Sequence, residues 1–366
     1  MGRILAGVLF LAACGDNGTE VSPPRPVGGV DTTQPAGDGL PATRYTPQVC
    51  GELSWTVSGG NGAVDVAVVP RESGAQVLSV PVAGGAITGY SLDKDMNLQQ
   101  IAPALTYDSG FTQVSASTVY NHLIATGVNS SSIRISVIAN DLSGAQALAK
   151  LDAGLVAKPT FHLADGNLII PVADGNGLRV EQFDSQWNAT TIRVANTDPA
   201  KSMTATQMSS ATVAAWSTQS GCRLMTLFTA APGPLVTIPE ACDNPAMAID
   251  PGTQKGVLAF EASDGIRMTD WSHTNVVGVS QILRRNATAP RALWDGSRIW
   301  LSYLDQRGDV VAGYFDGGHY VSAAIAGTHP ASSAYDLVMM NGSVWAVSFE
   351  ADQYEAHRLC ILPSNG

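Results

Sequence analysis

The sequence predicts an all-β chain, and three observations carry that prediction. Charged residues make up 14% of the chain, against a typical ~25%, while Gly, Ser, Thr and Val are plentiful. Apolar runs of strand length recur along most of the chain, and no convincing amphipathic helix lies among them. Hairpin dipeptides precede several of these runs: Asp165-Gly166, Asp295-Gly296 and Asn341-Gly342. Asx followed by Gly supplies the positive φ angles of a tight two-residue turn, so each joins two antiparallel strands.

The runs repeat. Taking the first apolar residue of a recurring strand as a marker gives Val77, Leu123, Leu168, Val213, Val257, Ile299 and Val344, spaced by 46, 45, 45, 44, 42 and 45 residues. Each marker opens a β-rich run such as Leu168-Ile169-Ile170-Pro171-Val172, and a polar turn and a second run follow. About 45 residues holding four short strands is the size of a β-propeller blade, and blades stacked round an axis bury both faces of half-apolar strands. Seven markers predict seven blades. For the third blade the expected strands lie near 157–163, 168–172, 178–183 and 190–194. Two packed β-sandwiches, or a ring of six or eight blades, are the alternatives that the same strand content allows.

The ends of the repeat region predict how the ring closes. Glu52 to Val57 reads as a strand with no partner of its own, and the last blade, ending at Cys360-Ile361-Leu362, lacks a fourth strand. The N-terminal strand is therefore expected to complete blade seven and remove an open sheet edge. Two disulfides fit this plan. Cys222 and Cys242 are each ten residues from Pro232, in the turn Ala231-Pro232-Gly233, so an undistorted hairpin would set them opposite one another. Cys50 and Cys360 are then the remaining pair in the propeller region, and ring closure would bring them together.

Residues 1–13 read as a secretory signal: Arg3, an apolar run from Ile4 to Leu11, then Leu11-Ala12-Ala13-Cys14. The run is shorter than the ~20 residues of a membrane-spanning helix. The Leu-Ala-Ala-Cys end resembles the bacterial lipobox, and that resemblance implies diacylation of Cys14, cleavage just before it and a lipid-anchored protein of the cell envelope. Gly15, where inner-membrane retention signals usually have Asp, points to the outer membrane on the same resemblance. Residues 14–48, with Pro23-Pro24-Arg25-Pro26 and Gly28-Gly29, have too few large apolar residues to order themselves and are expected to be a flexible linker. The propeller then occupies 49–366.

Composition also excludes function classes. The formal net charge of −11, with no basic cluster beyond Arg284-Arg285, argues against nucleic acid and against electrostatic docking on a bilayer. The zinc, phosphate-loop, nucleophile-elbow and Cys-x-x-Cys signatures are missing, so no metal and no cofactor is expected. The six histidines are scattered singly. Asp174-Gly175-Asn176-Gly177 begins like a calcium loop but lacks the later oxygen ligands, and a hairpin turn explains it. Trp216, Trp300 and Trp345 fall at equivalent points of three blades and are expected to pack between blades. Neither the Gly-His and Trp-Asp pairs of WD40 repeats nor the regular double glycines of kelch repeats occur. Ser263 to Trp271 resembles the Asp-box of sialidases, but once only and with different spacing.

With strands running a, b, c, d from the axis outward, the b–c loops and d–a connections share one rim. Its b–c loops carry Asp174, Glu261, Asp264, Asp305, Asp309, Glu350, Asp352 and Glu355, and its d–a connections carry Asp108, Asp198, Asp243, Asn244, Arg284, Arg285 and His329. A small ligand is expected on the axis at this rim, with Asp108, Asp243, Arg285, Asp305 and His329 as the candidate binding residues. The leading functional expectation is a lipid-anchored binding or scaffolding module with a protein or carbohydrate ligand. The alternatives are a glycoside-active enzyme using rim carboxylates such as Asp264, Asp305 and Glu350, and a structural subunit of an envelope complex.

Overall fold

A computed structural model describes residues 45–363 apart from the segments 57–62, 72–73, 83–85, 94, 96, 101–109, 120–121, 140–143, 158–159, 163–165, 175–176, 196–197, 209–210, 228–231, 273–278, 317–318, 326–333 and 351–352. The signal, Cys14 and the linker up to residue 44 lie outside the described residues, as do Asp108, His329 and Asp352.

The described residues form seven antiparallel sheets and no helix. Strand β1 (Tyr45–Thr56) precedes the blades. Blade one is β2 (Ala63–Arg71), β3 (Gly74–Pro81), β4 (Thr88–Leu92) and β5 (Leu98–Gln100). Blade two is β6 (Phe111–Val119), β7 (His122–Asn129), β8 (Ser132–Ile138) and β9 (Ala145–Asp152). Blade three opens with two short strands, β10 (Leu155–Val156) and β11 (Thr160–His162), and continues with β12 (Asn167–Asp174), β13 (Gly177–Phe183) and β14 (Ala189–Ala195). Blade four is β15 (Ser202–Gln207), β16 (Thr212–Thr218), β17 (Gly221–Leu227) and β18 (Val236–Ile238). Blade five is β19 (Asp243–Asp250), β20 (Lys255–Ala262), β21 (Gly265–Ser272) and β22 (Gln281–Arg285). Blade six is β23 (Thr288–Trp294), β24 (Ile299–Leu304), β25 (Val310–Asp316) and β26 (His319–Ala324). Blade seven is β27 (Tyr335–Met340), β28 (Ser343–Glu350), β29 (Gln353–Pro363) and, as its fourth strand, β1.

The chain is thus a seven-bladed β-propeller closed by its N-terminal strand. All seven markers fall in the second strand of their blades. β1 pairs with β29 from Tyr45↔Pro363 to Thr56↔Gln353, so the sheet takes in residues 45–48 at the end of the stretch read as linker. The core is divided in the same way. Seven clusters of buried apolar side chains lie one at each interface between neighbouring blades, and the last joins blade seven to blade one through Val338, Trp345 and Tyr354 against Val66, Val77 and Tyr90.

Several local expectations are corrected. Both disulfides, Cys50–Cys360 and Cys222–Cys242, are present with Cα atoms 5.9 and 5.4 Å apart. The second pair is not joined across an undistorted hairpin, however, because Cys222 stands opposite Ile238. Cys242 lies four residues further on, where the chain has left β18 and returns towards the inner strand β19, and there it meets Cys222 in the buried cluster between blades four and five. Asn341-Gly342 has the two positive φ angles of a two-residue turn, 49° and 71°. Asp295-Gly296 instead sits in a longer loop, closed by the hydrogen bond from Asp295 N to Arg298 O. There the Asp295 carboxylate accepts from Ser297 N and Arg298 N, so it serves as a cap. The three tryptophans are buried between blades, but Trp216 packs on blade three, the preceding one, whereas Trp300 and Trp345 face the next. Trp216 stands three residues after its marker and the others one, so the positions are not equivalent.

Candidate functional site at the axial channel

The first strands β2, β6, β10, β11, β15, β19, β23 and β27 contact one another round the ring. They enclose a cavity of about 510 Å³ that takes lining residues from all seven blades. A strand order of a to d from the axis outward puts the start of each first strand at the d–a end of this channel. Four of these strands bulge there, between Ala63 and Asp65, Phe111 and Gln113, Asp243 and Ala246, and Thr288 and Arg291. A bulge adds a residue to one strand and re-aims the side chains beside it, and bulges concentrate next to binding sites.

Three charged side chains line that end of the cavity: Asp65 from blade one, Arg291 from blade six and Asp336 from blade seven. Asp65 accepts a hydrogen bond from Val114 N of blade two at 2.7 Å. Part of its surface opens to the channel while protein surrounds the rest, and this burial pushes its carboxyl from the ordinary 3.8 up to about 7. The Val114 hydrogen bond and the Arg291 charge act against that rise, and the charge of Asp336 adds to it. Arg291 is held by its surroundings: Nε donates to Tyr335 O at 3.1 Å, a terminal nitrogen donates to Pro290 O at 3.0 Å, and the guanidinium lies 4.9 Å from the centre of the Tyr335 ring. Asp336 accepts from Leu337 N at 2.8 Å.

A polar belt fixes this end of the channel. Asp243 Oδ1 accepts from Ser202 Oγ at 2.8 Å, from Ser217 Oγ at 3.3 Å and from Asn244 N at 2.9 Å, which ties blade four to blade five. Asn244 Nδ2 donates to Glu261 Oε1 at 2.9 Å, and the same oxygen accepts from Ala289 N of blade six. Ala289 O accepts from the buried Tyr335 hydroxyl of blade seven. Asn244 and Ala289 both sit within bulges at positive φ, 43° and 52°, a conformation that non-glycine residues rarely adopt and that surrounding contacts must hold.

Of the five residues expected to bind, three are described. Asp243 stands beside the channel mouth but not on the cavity wall, with its carboxylate in the belt. Arg285 is exposed at the end of β22, the outermost strand of blade five, opposite Gly265. Asp305 opens the turn between β24 and β25 and accepts from Arg307 N at 2.8 Å and Asp309 N at 3.1 Å. The structure does not gather these three at one point, because only Asp243 belongs to a first strand. Among the carboxylates considered for glycoside chemistry, Asp264 has both oxygens on Arg267, at 3.1 and 2.9 Å, and that hydrogen-bonded guanidinium holds its carboxyl below the usual range. Asp174 pairs with Arg179 at 3.1 Å. Among the described residues no three His, Cys, Asp or Glu side chains form a metal-binding group.

The charged residues of the channel were not singled out from sequence, yet a signal for them exists. Each interrupts an apolar run of a first strand, as in Val64-Asp65-Val66-Ala67-Val68 and Tyr335-Asp336-Leu337-Val338. A charge inside a run that packs on both faces needs a partner or a function.

Fold and channel together define a seven-bladed propeller with a charged axial cavity. No protein-family model and no curated protein sequence matches the chain.

Proposed function

We propose that the chain is a binding or scaffolding propeller of the bacterial cell envelope, held on a lipid at Cys14, which takes a small ligand into its axial channel. The observation that carries the binding reading is the 510 Å³ cavity with Asp65, Arg291 and Asp336 at one end, a volume within the range of small-molecule sites. The polar belt gives those side chains a fixed setting, which reduces the ordering that a ligand must impose. The anchoring reading rests on the lipobox resemblance after an apolar run of signal length.

Native mass spectrometry of the full chain against a small-molecule panel tests the first reading. Gln113 lines the cavity and is exposed to it, so Gln113→Trp should fill the channel and abolish any adduct. An adduct that survives this change would place the ligand elsewhere. For the anchor, Cys14→Ala should move the protein from the membrane to the soluble fraction and remove a lipid mass from the mature chain. Unchanged membrane association, with no lipid on the wild type, would refute it.

A further inference from the structure

We infer that the axial channel selects a small organic cation, a primary alkylammonium with a short apolar body, which binds between Asp65 and Asp336. The inference rests on the channel being the ligand site and adds the ligand's chemical class. Among the described lining residues the charges are two carboxylates and one guanidinium. Arg291 already donates to two backbone carbonyls and lies over the Tyr335 ring, so it forms part of the wall. With the Arg291 charge set against two carboxylates, a neutral ligand would leave one negative charge in excess, and an anion would add to it. A cation adds the charge that the wall lacks, in a setting where desolvation strengthens such pairs. Further along the first strands the wall mixes apolar residues such as Met247 and Leu293 with Thr204, Thr206 and Gln207, which leaves room for a short alkyl chain.

The same geometry couples binding to a proton. The charges that act on Asp65 are Arg291 of β23 and Asp336 of β27; β6 contributes the Val114 N–H between the neutral Gln113 and Ser115, and β3 sets Val80 opposite it. With its carboxyl at about 7, Asp65 is protonated at pH 5.5 and ionised at pH 8.5. An alkylammonium, like a lysine side chain with its pKa of about 10.4, keeps its charge across that interval, so a pH effect on affinity reports the protein.

Calorimetric titration of the full chain with n-butylammonium, butyrate and 1-butanol tests the inference. Butylammonium should bind at pH 8.5, roughly tenfold more weakly at pH 5.5, and more tightly than either of the other probes at pH 8.5. Asp65→Asn should bind it weakly at both pH values, and Asp336→Asn should weaken it at both, each with a cooperative unfolding transition that shows the variant is folded. Butyrate or butanol binding as tightly, and blocked by Gln113→Trp, would overturn the cation preference and leave the channel reading standing. Butylammonium binding that persists in Gln113→Trp, or no binding by any of the three, would overturn both.

Discussion

Asp65 shows how a single side chain couples the fold to the chemistry of its channel. Its carboxyl is raised from 3.8 to about 7 by burial, so the folded protein holds that proton more tightly than the unfolded chain does. Its contribution to stability is therefore fully present below about pH 4, falls as pH rises through 7 and is absent above that. Asn resembles the protonated acid and can still accept from Val114 N. We expect Asp65→Asn to raise stability at pH 8 by on the order of 1–3 kcal/mol, less than the full shift implies because the channel admits solvent, with the gain vanishing near pH 4.5. Urea unfolding of both proteins across that interval measures it, and a pH-independent difference would refute the assignment. Asp264 is the opposite case. Its half-buried carboxylate, held low by Arg267, belongs to a pair near the surface and contributes little.

At the level of strands, what was legible in the sequence was the period. The second strand of each blade is apolar on both faces because it packs against two neighbours, so Leu168-Ile169-Ile170 and its counterparts stand out as runs and their spacing gives the blade count. The first strands were harder to read. That of blade three was expected as one strand over 157–163, but it is divided into β10 and β11, both paired with β12, and Pro159, which has no N–H for a ladder, stands between them in the sequence. The bulges that set the channel mouth leave no turn dipeptide or period behind, so the sequence points to the rim loops and not to the strands. The glycines carry a second regularity. Gly177, Gly221 and Gly265 open the third strands of blades three, four and five at intervals of 44 residues, with φ of 111°, 120° and 130°. A Cβ on Gly221 or Gly265 would lie 2.1 Å from the carbonyl oxygen of Ile238 or Arg284 on the outer strand. Gly265→Ala should therefore destabilise the protein by on the order of 3 kcal/mol, through both backbone strain and the clash. Gly296, at φ 97° but with open space around its Cβ position, serves as the control, and its change to Ala should carry the strain alone, about 1 kcal/mol. Equal losses at the two sites would show that the outer strand yields to the extra methyl group.

Across the whole molecule, the seven clusters between blades make stability a ring of nearest-neighbour interfaces, and a ring is as secure as its closure. Closure falls on blade seven, whose strands come from both ends of the propeller region. Without β1 that blade would expose the edge of β29, and the hydrogen bonds between these two strands are the only sheet pairing among the described residues that links the N-terminal strand to the C-terminal one. The Cys50–Cys360 disulfide cross-links the same two strands over a sequence separation of 310, whereas Cys222–Cys242 closes a loop of 20 within one blade and its connection to the next. Loop-closure entropy grows with the logarithm of loop length, so the chain-entropy treatment assigns the long link about 2 kcal/mol more stabilisation than the short one. Cys222 is fully buried, and a serine there would bury a hydroxyl, so the fair comparison replaces each pair with Ala. The Cys50/Cys360 double variant should show the larger drop in urea unfolding midpoint, and its β1 amides should exchange hydrogen faster than those of the inner strands. A drop no larger than that of the Cys222/Cys242 variant, with β1 as protected as before, would mean that the β1–β29 ladder and the cluster between blades seven and one hold the ring without the covalent link.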